Sequence, residues 1–93
     1  MFSSGDGKFI ATYKLNGLEY AYTGHFIRPV PDFFAITTLE YPDADDLSGD
    51  QPFNGTVGPG DLSLTIGGNS KLRGRLYKPK EKQYAASGSG AWD

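Results

Sequence analysis

The dipeptide Asn16-Gly17 constrains the fold of this 93-residue chain more than any other stretch, because alternating apolar and polar residues flank it on both sides. A type I′ hairpin turn needs positive φ at both central residues, which Gly adopts freely and Asn tolerates better than most residues. A two-residue loop also fixes the strand register, so that Leu15 faces Leu18. The sequence therefore predicts a β-hairpin over residues 8–27.

The register set by this turn separates the hairpin into two faces of different polarity. The apolar face collects Phe9, Ala11, Tyr13, Leu15, Leu18, Tyr20, Tyr22 and Phe26. The polar face collects Lys8, Thr12, Lys14, Glu19, Thr23 and His25. A shift of one residue would mix the two sets, so the side-chain pattern and the turn agree.

The rest of the chain is also typical of strands joined by turns, because it contains 13 Gly and 6 Pro and no sustained amphipathic helical period. Residues 1–7 predict a loose lead-in. Residues 33–41 are rich in β-branched and aromatic side chains and predict a third strand. Both of its alternation phases carry apolar residues, so we expect its start to be covered on both sides. Residues 42–51 predict a polar acidic loop, and residues 52–57 a short strand.

A second hairpin is predicted over residues 61–77. Opposing Ile66 with Leu72 leaves a loop around residues 68–70, which is a common hairpin connection. Residues 83–92 alternate small side chains and predict a strand that closes the sheet, since Gly within strands permits tight bends and close backbone approach.

These elements predict a single all-β domain over residues 1–93, a length that suits one domain. The architecture we expect is a small antiparallel β-barrel or a flattened β-sandwich of about six to eight strands. Six Phe, six Tyr and one Trp supply much of the core. Each large ring removes on the order of 150–250 Å² from water when it is buried.

Composition argues against several classes of function. The chain has no Cys, which rules out disulfides, thiolate metal sites and a Cys nucleophile, and leaves the redox compartment open. Its formal net charge of −2 argues against a general nucleic-acid binder, which needs a basic excess. No segment approaches the roughly 20 apolar residues of a transmembrane helix.

The start of the chain bears on localisation. Residues 1–9 lack the basic region and the apolar stretch of a signal peptide. A cytoplasmic location is therefore the default expectation. Export without a cleaved leader, or a form whose leader is missing, are the alternatives.

The candidate binding site predicted by the sequence lies on the second hairpin. Alternation places Arg73 and Arg75 on one face, with Tyr77 next along that face. Two guanidinium groups beside a tyrosine suit an anionic or sugar-like group, held by bidentate hydrogen bonds and stacking. Tyr20 and Tyr22 are further candidate ligand contacts, because tyrosine combines an apolar ring with a polar tip. The alternative interpretation makes the arginines a solvated face and most aromatic residues core.

Catalytic and metal chemistry have weaker support in the sequence. His25 is the only histidine, and no nucleophile or orienting carboxylate is evident around it. No nucleophile elbow, zinc-protease motif or phosphate-binding glycine loop is present. Asp43, Asp45, Asp46 and Asp50 crowd the acidic loop, but their spacing does not fit an EF-hand, which favours a solvated loop over a calcium site. The sequence predicts no catalytic residue, no metal and no cofactor.

These observations favour a non-enzymatic binding module for a small apolar, sugar-like or anionic ligand. The alternative is a protein–protein interaction or structural domain that oligomerises through sheet edges. A small enzyme that uses Arg73, Arg75, a tyrosine or His25 is the third hypothesis. The expected partners are therefore a small molecule or another protein, including a second copy of the chain, and not a nucleic acid.

Overall fold

The computed structural model describes residues 1–3, 7–28, 30–43, 45 and 47–93. Within these ranges the chain forms eight antiparallel strands and no helix, which confirms the all-β fold class. The strands are β1 (Phe2–Ser3), β2 (Lys8–Leu15), β3 (Leu18–Phe26), β4 (Ala35–Glu40), β5 (Gly49–Val57), β6 (Asp61–Ile66), β7 (Ser70–Leu76) and β8 (Tyr84–Trp92).

The first hairpin forms in the predicted register. Asn16 and Gly17 have φ angles of 51° and 82°, as a type I′ turn requires. Leu15 pairs with Leu18, and the pairing continues to Lys8 and His25. Because register decides which side chains point inward, the predicted apolar face supplies core. Three of its side chains are fully buried: Phe9, Ala11 and Tyr22.

The strands form one nearly closed, barrel-shaped sheet in the order β1-β2-β3-β8-β5-β6-β7-β4. The short strand β1 joins the two ends of this order. It pairs with β2 on one side, and Phe2 bridges Phe34, immediately before β4, on the other. The Ser3 amide also donates to the Phe33 carbonyl at 2.9 Å. The segment predicted as a loose lead-in, residues 1–7, thus contributes the short strand that links the two ends of the nearly closed sheet.

Residues 83–92, predicted to close the sheet, lie instead in its middle, because β8 is hydrogen-bonded between β3 and β5. The small side chains of β8 leave room for neighbouring rings to pack, and do not serve to close the sheet. At Gly90, a Cβ would lie only 2.6 Å from Cζ of the buried Tyr22 ring. A glycine at this inward-facing position leaves the ring room to lie against the backbone.

The second hairpin forms, but its register differs from the prediction by two residues. Ile66 pairs with Ser70 rather than with Leu72. The turn begins earlier because Gly67 and Gly68 both adopt positive φ, at 62° and 80°, which makes them the tight-turn residues. A shift of two residues preserves the inward and outward alternation, so the predicted faces of β7 survive.

Two predicted segments also need correction. The third strand is covered on one side only: Ala35 is buried, whereas the side chain of Ile36 is 79% exposed. The expectation of cover on both sides was wrong because the outer surface of a barrel faces solvent. β5 begins at Gly49, so the end of the predicted acidic loop, residues 42–51, belongs to a strand.

Aromatic rings fill the barrel interior between β2, β3, β5 and β8. The Phe53 ring lies edge-on to Phe9, with centroids 5.0 Å apart and planes at 88°. Tyr22 and Trp92 extend the cluster, with their centroids 5.2 Å apart. Such pairs contribute roughly 0.5–1.5 kcal/mol each beyond the area they bury. With this interior packed, the concave sites described next lie on the outer surface.

Candidate functional site

β7 and the residue after it present three predicted contact residues on the outer surface of the barrel. Arg73 and Arg75 alternate with buried leucines and the partly buried Gly74, so both point outward. Arg75 lies opposite Ile36 of β4. Tyr77 continues the same face, and its amide donates to the Phe34 carbonyl at 2.8 Å. This last bond brings an outward-facing aromatic residue from each side of the β4–β7 pair together.

The rings of Phe34 and Tyr77 pack against each other while both stay open to solvent. Their centroids are 6.2 Å apart and their planes are nearly perpendicular, at 89°. Tyr77 is 75% exposed and Phe34 is 50% exposed. Single exposed apolar residues are common on soluble proteins. Here two exposed rings adjoin each other and form one continuous aromatic surface.

A pocket of about 260 Å³ opens beside this aromatic pair. Its lining consists of Asp32, Phe33, Phe34, Tyr77, Lys78 and Lys80. The Lys80 ammonium group donates to the backbone carbonyl of Asp32, which ties the turn after β7 to the segment before β4. Two lysines and one aspartate line the pocket, so its charge is positive. The pocket therefore combines an aromatic wall with a cationic one.

The sequence predicts that Arg73 and Arg75 contact one ligand together, but Arg73 lies away from this pocket. The Arg73 guanidinium lies 3.9 Å from the Glu40 carboxylate, and both side chains are more than half exposed. Such a surface ion pair contributes little to stability. Along the strand, Arg73 is roughly 13 Å from Tyr77, whereas Arg75 is only about 7 Å away. Arg75 is thus the arginine placed to contribute charge near the aromatic pair.

Tyr20 and Tyr22 lie away from this surface, on the inward side of β3. Tyr22 is fully buried, and its hydroxyl donates to the Gln51 carbonyl at 2.6 Å. Burial raises the pKa of Tyr22 to about 12. Tyr20 is partly buried and packs against the core. Both residues therefore act as packing groups in this structure, and neither joins Arg75 and Tyr77.

A second concave region, of about 420 Å³, lies on the outer face of β3, β8 and β5. Its lining consists of Thr23, His25, Asp50, Ser89, Gly90 and Ala91. His25 stands directly opposite Ser89. A nucleophile and a general base act through a mutual hydrogen bond, with a third group that orients the base. No side-chain hydrogen bond joins His25 and Ser89 within the described part of the chain.

Where the structure describes it, the acidic loop is held by local hydrogen bonds between side chains and backbone. The Asp45 amide donates to the Asp43 carboxylate at 3.0 Å, and the side chain of Leu47 is buried. Asp46, part of the predicted acidic cluster, lies outside the described residues. Among the residues that are described, no group of three or more His, Cys, Asp or Glu side chains is arranged to hold a metal ion. The same residues include no helix long and apolar enough to span a bilayer.

Five of the six pocket residues are not among the ligand contacts predicted from the sequence: Asp32, Phe33, Phe34, Lys78 and Lys80. Phe34 was ambiguous because apolar residues occupy both alternation phases of residues 33–41, and alternation alone does not say which phase points outward. Lys78 and Lys80 lie in the basic turn after the second hairpin, and only the pairing of β4 with β7 brings this turn beside Phe34. The sequence feature that points to this site is the set of outward-facing residues on β7. This set continues to Tyr77, and Phe34 is the residue beside Tyr77 on the neighbouring segment.

The fold and this site define a small antiparallel barrel with a packed interior and a pocket on its outer surface. Comparison of the chain with protein-family models, with curated proteins and with solved structures gave no match to any of them. The functional proposal therefore depends on the geometry of the site alone.

Proposed function

We propose that this chain is a non-enzymatic binding module for a small anionic ligand that carries an aromatic or apolar ring. The observation that supports the proposal is the solvent-open contact between Phe34 and Tyr77 at the wall of a pocket lined by Lys78 and Lys80. Two exposed rings offer stacking and edge contacts to a planar group. The lysines attract a carboxylate, sulfate or phosphate on the same ligand.

The size of the pocket bears on the class of ligand. Pockets for drug-sized molecules have volumes of roughly 300–1,000 Å³, so a pocket of about 260 Å³ suits a single substituted ring. The Asp32 carboxylate at the rim disfavours a second anionic group there. Arg75, next along the outer face, gives the ligand a further cation beyond the lysines. A monoanion that places one substituted ring in the pocket fits these features best.

Anilinonaphthalene sulfonate is a suitable probe because it joins an apolar ring system to one anionic group, and its fluorescence rises on binding. We expect Tyr77→Ala to raise the Kd of this dye at least ~10-fold, which corresponds to ~1.4 kcal/mol. Leu18→Ala is the matched control, since Leu18 is also an exposed apolar residue, at 62%, but lies at the tip of the first hairpin. We expect the control to bind as the unaltered chain does.

The charge requirement is tested separately with Lys78→Gln. This variant should weaken binding of the anionic dye and leave binding of the uncharged phenylnaphthylamine unchanged, because only the first ligand interacts with the ammonium group. Cooperative urea unfolding of each variant establishes that the barrel is intact. Dye binding that is equal in Tyr77→Ala and in the unaltered chain would show that the site lies elsewhere.

A second candidate function, protein–protein association through a sheet edge, is favoured by one specific observation. β1 spans only Phe2–Ser3, and it lies between β2 and β4. In the part of each strand that β1 does not reach, β2 and β4 form no ladder with each other. Free strand edges are templates for pairing with another chain. This candidate does not involve the pocket beside Tyr77, so the two proposals are tested independently.

A further inference from the structure

The concave region of about 420 Å³ on the outer face of β3, β8 and β5 is built from two rows of paired residues. β8 runs along its middle and supplies the floor, through the outward-facing Ser89 and Ala91. His25 on β3 stands beside Ser89, and Thr23 on the same strand stands beside Ala91. Asp50 on β5 stands on the other side of Ala91. We call this region the β8 trough.

The β8 trough is concave because its middle strand carries small side chains and its flanking strands carry larger ones. The side chains of Ser89 and Ala91 are short, whereas those of His25 and Asp50 extend farther from the sheet. Neighbouring strands are about 4.8 Å apart, so the Cα atoms of the two walls lie roughly 10 Å from each other across β8. The volume falls within the range of roughly 300–1,000 Å³ that is usual for small-molecule pockets.

The lining of the β8 trough combines four polar side chains with different hydrogen-bonding capacities. The Asp50 carboxylate only accepts, whereas the hydroxyl groups of Thr23 and Ser89 both donate and accept. The imidazole of His25 in its neutral form has one donor and one acceptor nitrogen. A hydroxyl group on a ligand also donates and accepts, so it is able to pair with every member of this set. The two oxygens of Asp50 are able to accept from two neighbouring hydroxyl groups at once.

The charge of the β8 trough separates it from the pocket beside Tyr77. With His25 counted as neutral, Asp50 is the charged residue among the described residues of its lining, so an anionic ligand is repelled. The Asp50 side chain is exposed to solvent, and an ion pair with an exposed carboxylate contributes little, so a simple cation is held weakly as well. The lining therefore favours a neutral ligand that carries several hydroxyl groups.

We propose that the β8 trough binds a neutral saccharide unit. The Asp50 carboxylate accepts from two neighbouring ring hydroxyls, and His25, Thr23 and Ser89 bond to hydroxyls on the opposite side of the ring. The methyl group of Ala91 contacts the C–H groups of the sugar. None of the described lining residues is Phe, Tyr or Trp, so binding depends on hydrogen bonds in an open site, and we expect a millimolar Kd.

This saccharide site is a further function of the chain, and it does not depend on the proposal for the pocket beside Tyr77. The two sets of lining residues have no member in common. They also differ in chemistry, because the pocket beside Tyr77 offers aromatic rings and ammonium groups, and the β8 trough offers hydroxyl, imidazole and carboxylate groups. A ligand of one site is therefore not expected to compete for the other.

Chemical-shift mapping by NMR on the full chain locates the bound sugar. The probes are the methyl α-glycosides of glucose, galactose and mannose, each titrated through the millimolar range. They differ in the orientation of single ring hydroxyls, and we expect at least one of them to shift the amide signals of Thr23, His25 and Ala91. The amide signals of Tyr77 and Lys78, in the other pocket, should not move.

Ser89→Val tests the floor of the β8 trough, because it fills the space above β8 and removes a hydroxyl group. We expect it to raise the Kd of the bound glycoside at least ~10-fold. Ser87→Val is the matched control, since it makes the same change at the next outward position of β8, beside Asn54 and outside the lining. This control should bind the glycoside as the unaltered chain does. Cooperative urea unfolding of both variants establishes that the barrel is intact.

Asp50→Ala tests the carboxylate separately. It removes an acceptor whose hydrogen bonds are charge-assisted, and we expect the Kd to rise at least ~10-fold again. Signals that none of the three glycosides shifts would overturn the proposal, as would equal binding by Ser89→Val and the unaltered chain. Equal losses in Ser89→Val and Ser87→Val would overturn it too. Shifts at Tyr77 and Lys78 in place of Thr23 and His25 would assign the sugar to the other pocket, against this proposal.

Discussion

Gly88→Ala tests the packing of the barrel at the centre of the sheet. Gly88 lies on β8 and pairs with Phe26 on one side and with Phe53 on the other. A Cβ at this position would overlap the carbonyl oxygen of His25 and would also lie 3.0 Å from the Phe53 ring. Because the first neighbour is backbone rather than a flexible side chain, β3 and β8 must separate locally to accept the methyl group.

The magnitude follows from that geometry. Overpacking a well-packed core costs typically about 1–3 kcal/mol, and displacement of a backbone carbonyl places this variant at the upper end, at ~3 kcal/mol. Total stabilities of small domains are roughly 5–15 kcal/mol, so the loss is a large fraction of the total. For a chain of this length each 1 kcal/mol lowers Tm by about 4–8 °C, which predicts a decrease of roughly 12–24 °C.

Urea unfolding followed by fluorescence of Trp92, the only tryptophan, measures the loss. Gly60→Ala is the matched control, because a Cβ there would meet nothing within 4 Å. We expect the control to stay within ~0.5 kcal/mol of the unaltered chain. A Gly88→Ala variant whose free energy of unfolding equals that of Gly60→Ala would refute the close approach of β3 and β8 described above.

Two further perturbations test the turn and the buried tyrosine. Gly17→Val places a β-branched residue at φ 82° and should lower the free energy of unfolding, measured in urea, by more than ~1 kcal/mol. The control Lys14→Ala should lower it by well under 1 kcal/mol. Similar small losses in both variants would contradict the type I′ turn at residues 16–17. The folded chain keeps the Tyr22 proton up to pH ~12, whereas the unfolded chain loses it near pH 10. The contribution of Tyr22 to the free energy of unfolding is therefore complete below pH ~10 and falls by ~1.4 kcal/mol per pH unit between pH 10 and pH 12. Tyr22→Phe should flatten the fall in stability measured between pH 10 and 12, and an unchanged slope would show that Tyr22 is not the group responsible.

The first hairpin was predictable from the sequence because its determinants are local. Asn16 and Gly17 supply the positive φ angles, and a two-residue loop leaves a single register. Alternation then assigned the inward face of β2 and β3 before any tertiary contact was known. The same local rule placed Arg75 and Tyr77 on the outward face of β7, even though the register of that hairpin was wrong by two residues.

The tertiary structure alone decided the closure of the barrel and the position of the pocket. Nothing local to Phe2 indicates that it bridges β2 and the segment before β4, because such pairing depends on contacts far apart in the chain. The fate of aromatic residues was equally non-local. Tyr22 lies in β3 and Phe34 immediately before β4, both in segments with strong β-propensity, yet Tyr22 is buried and Phe34 is half exposed. Only the curvature of the nearly closed sheet determines which side of a strand faces the core and which side faces solvent.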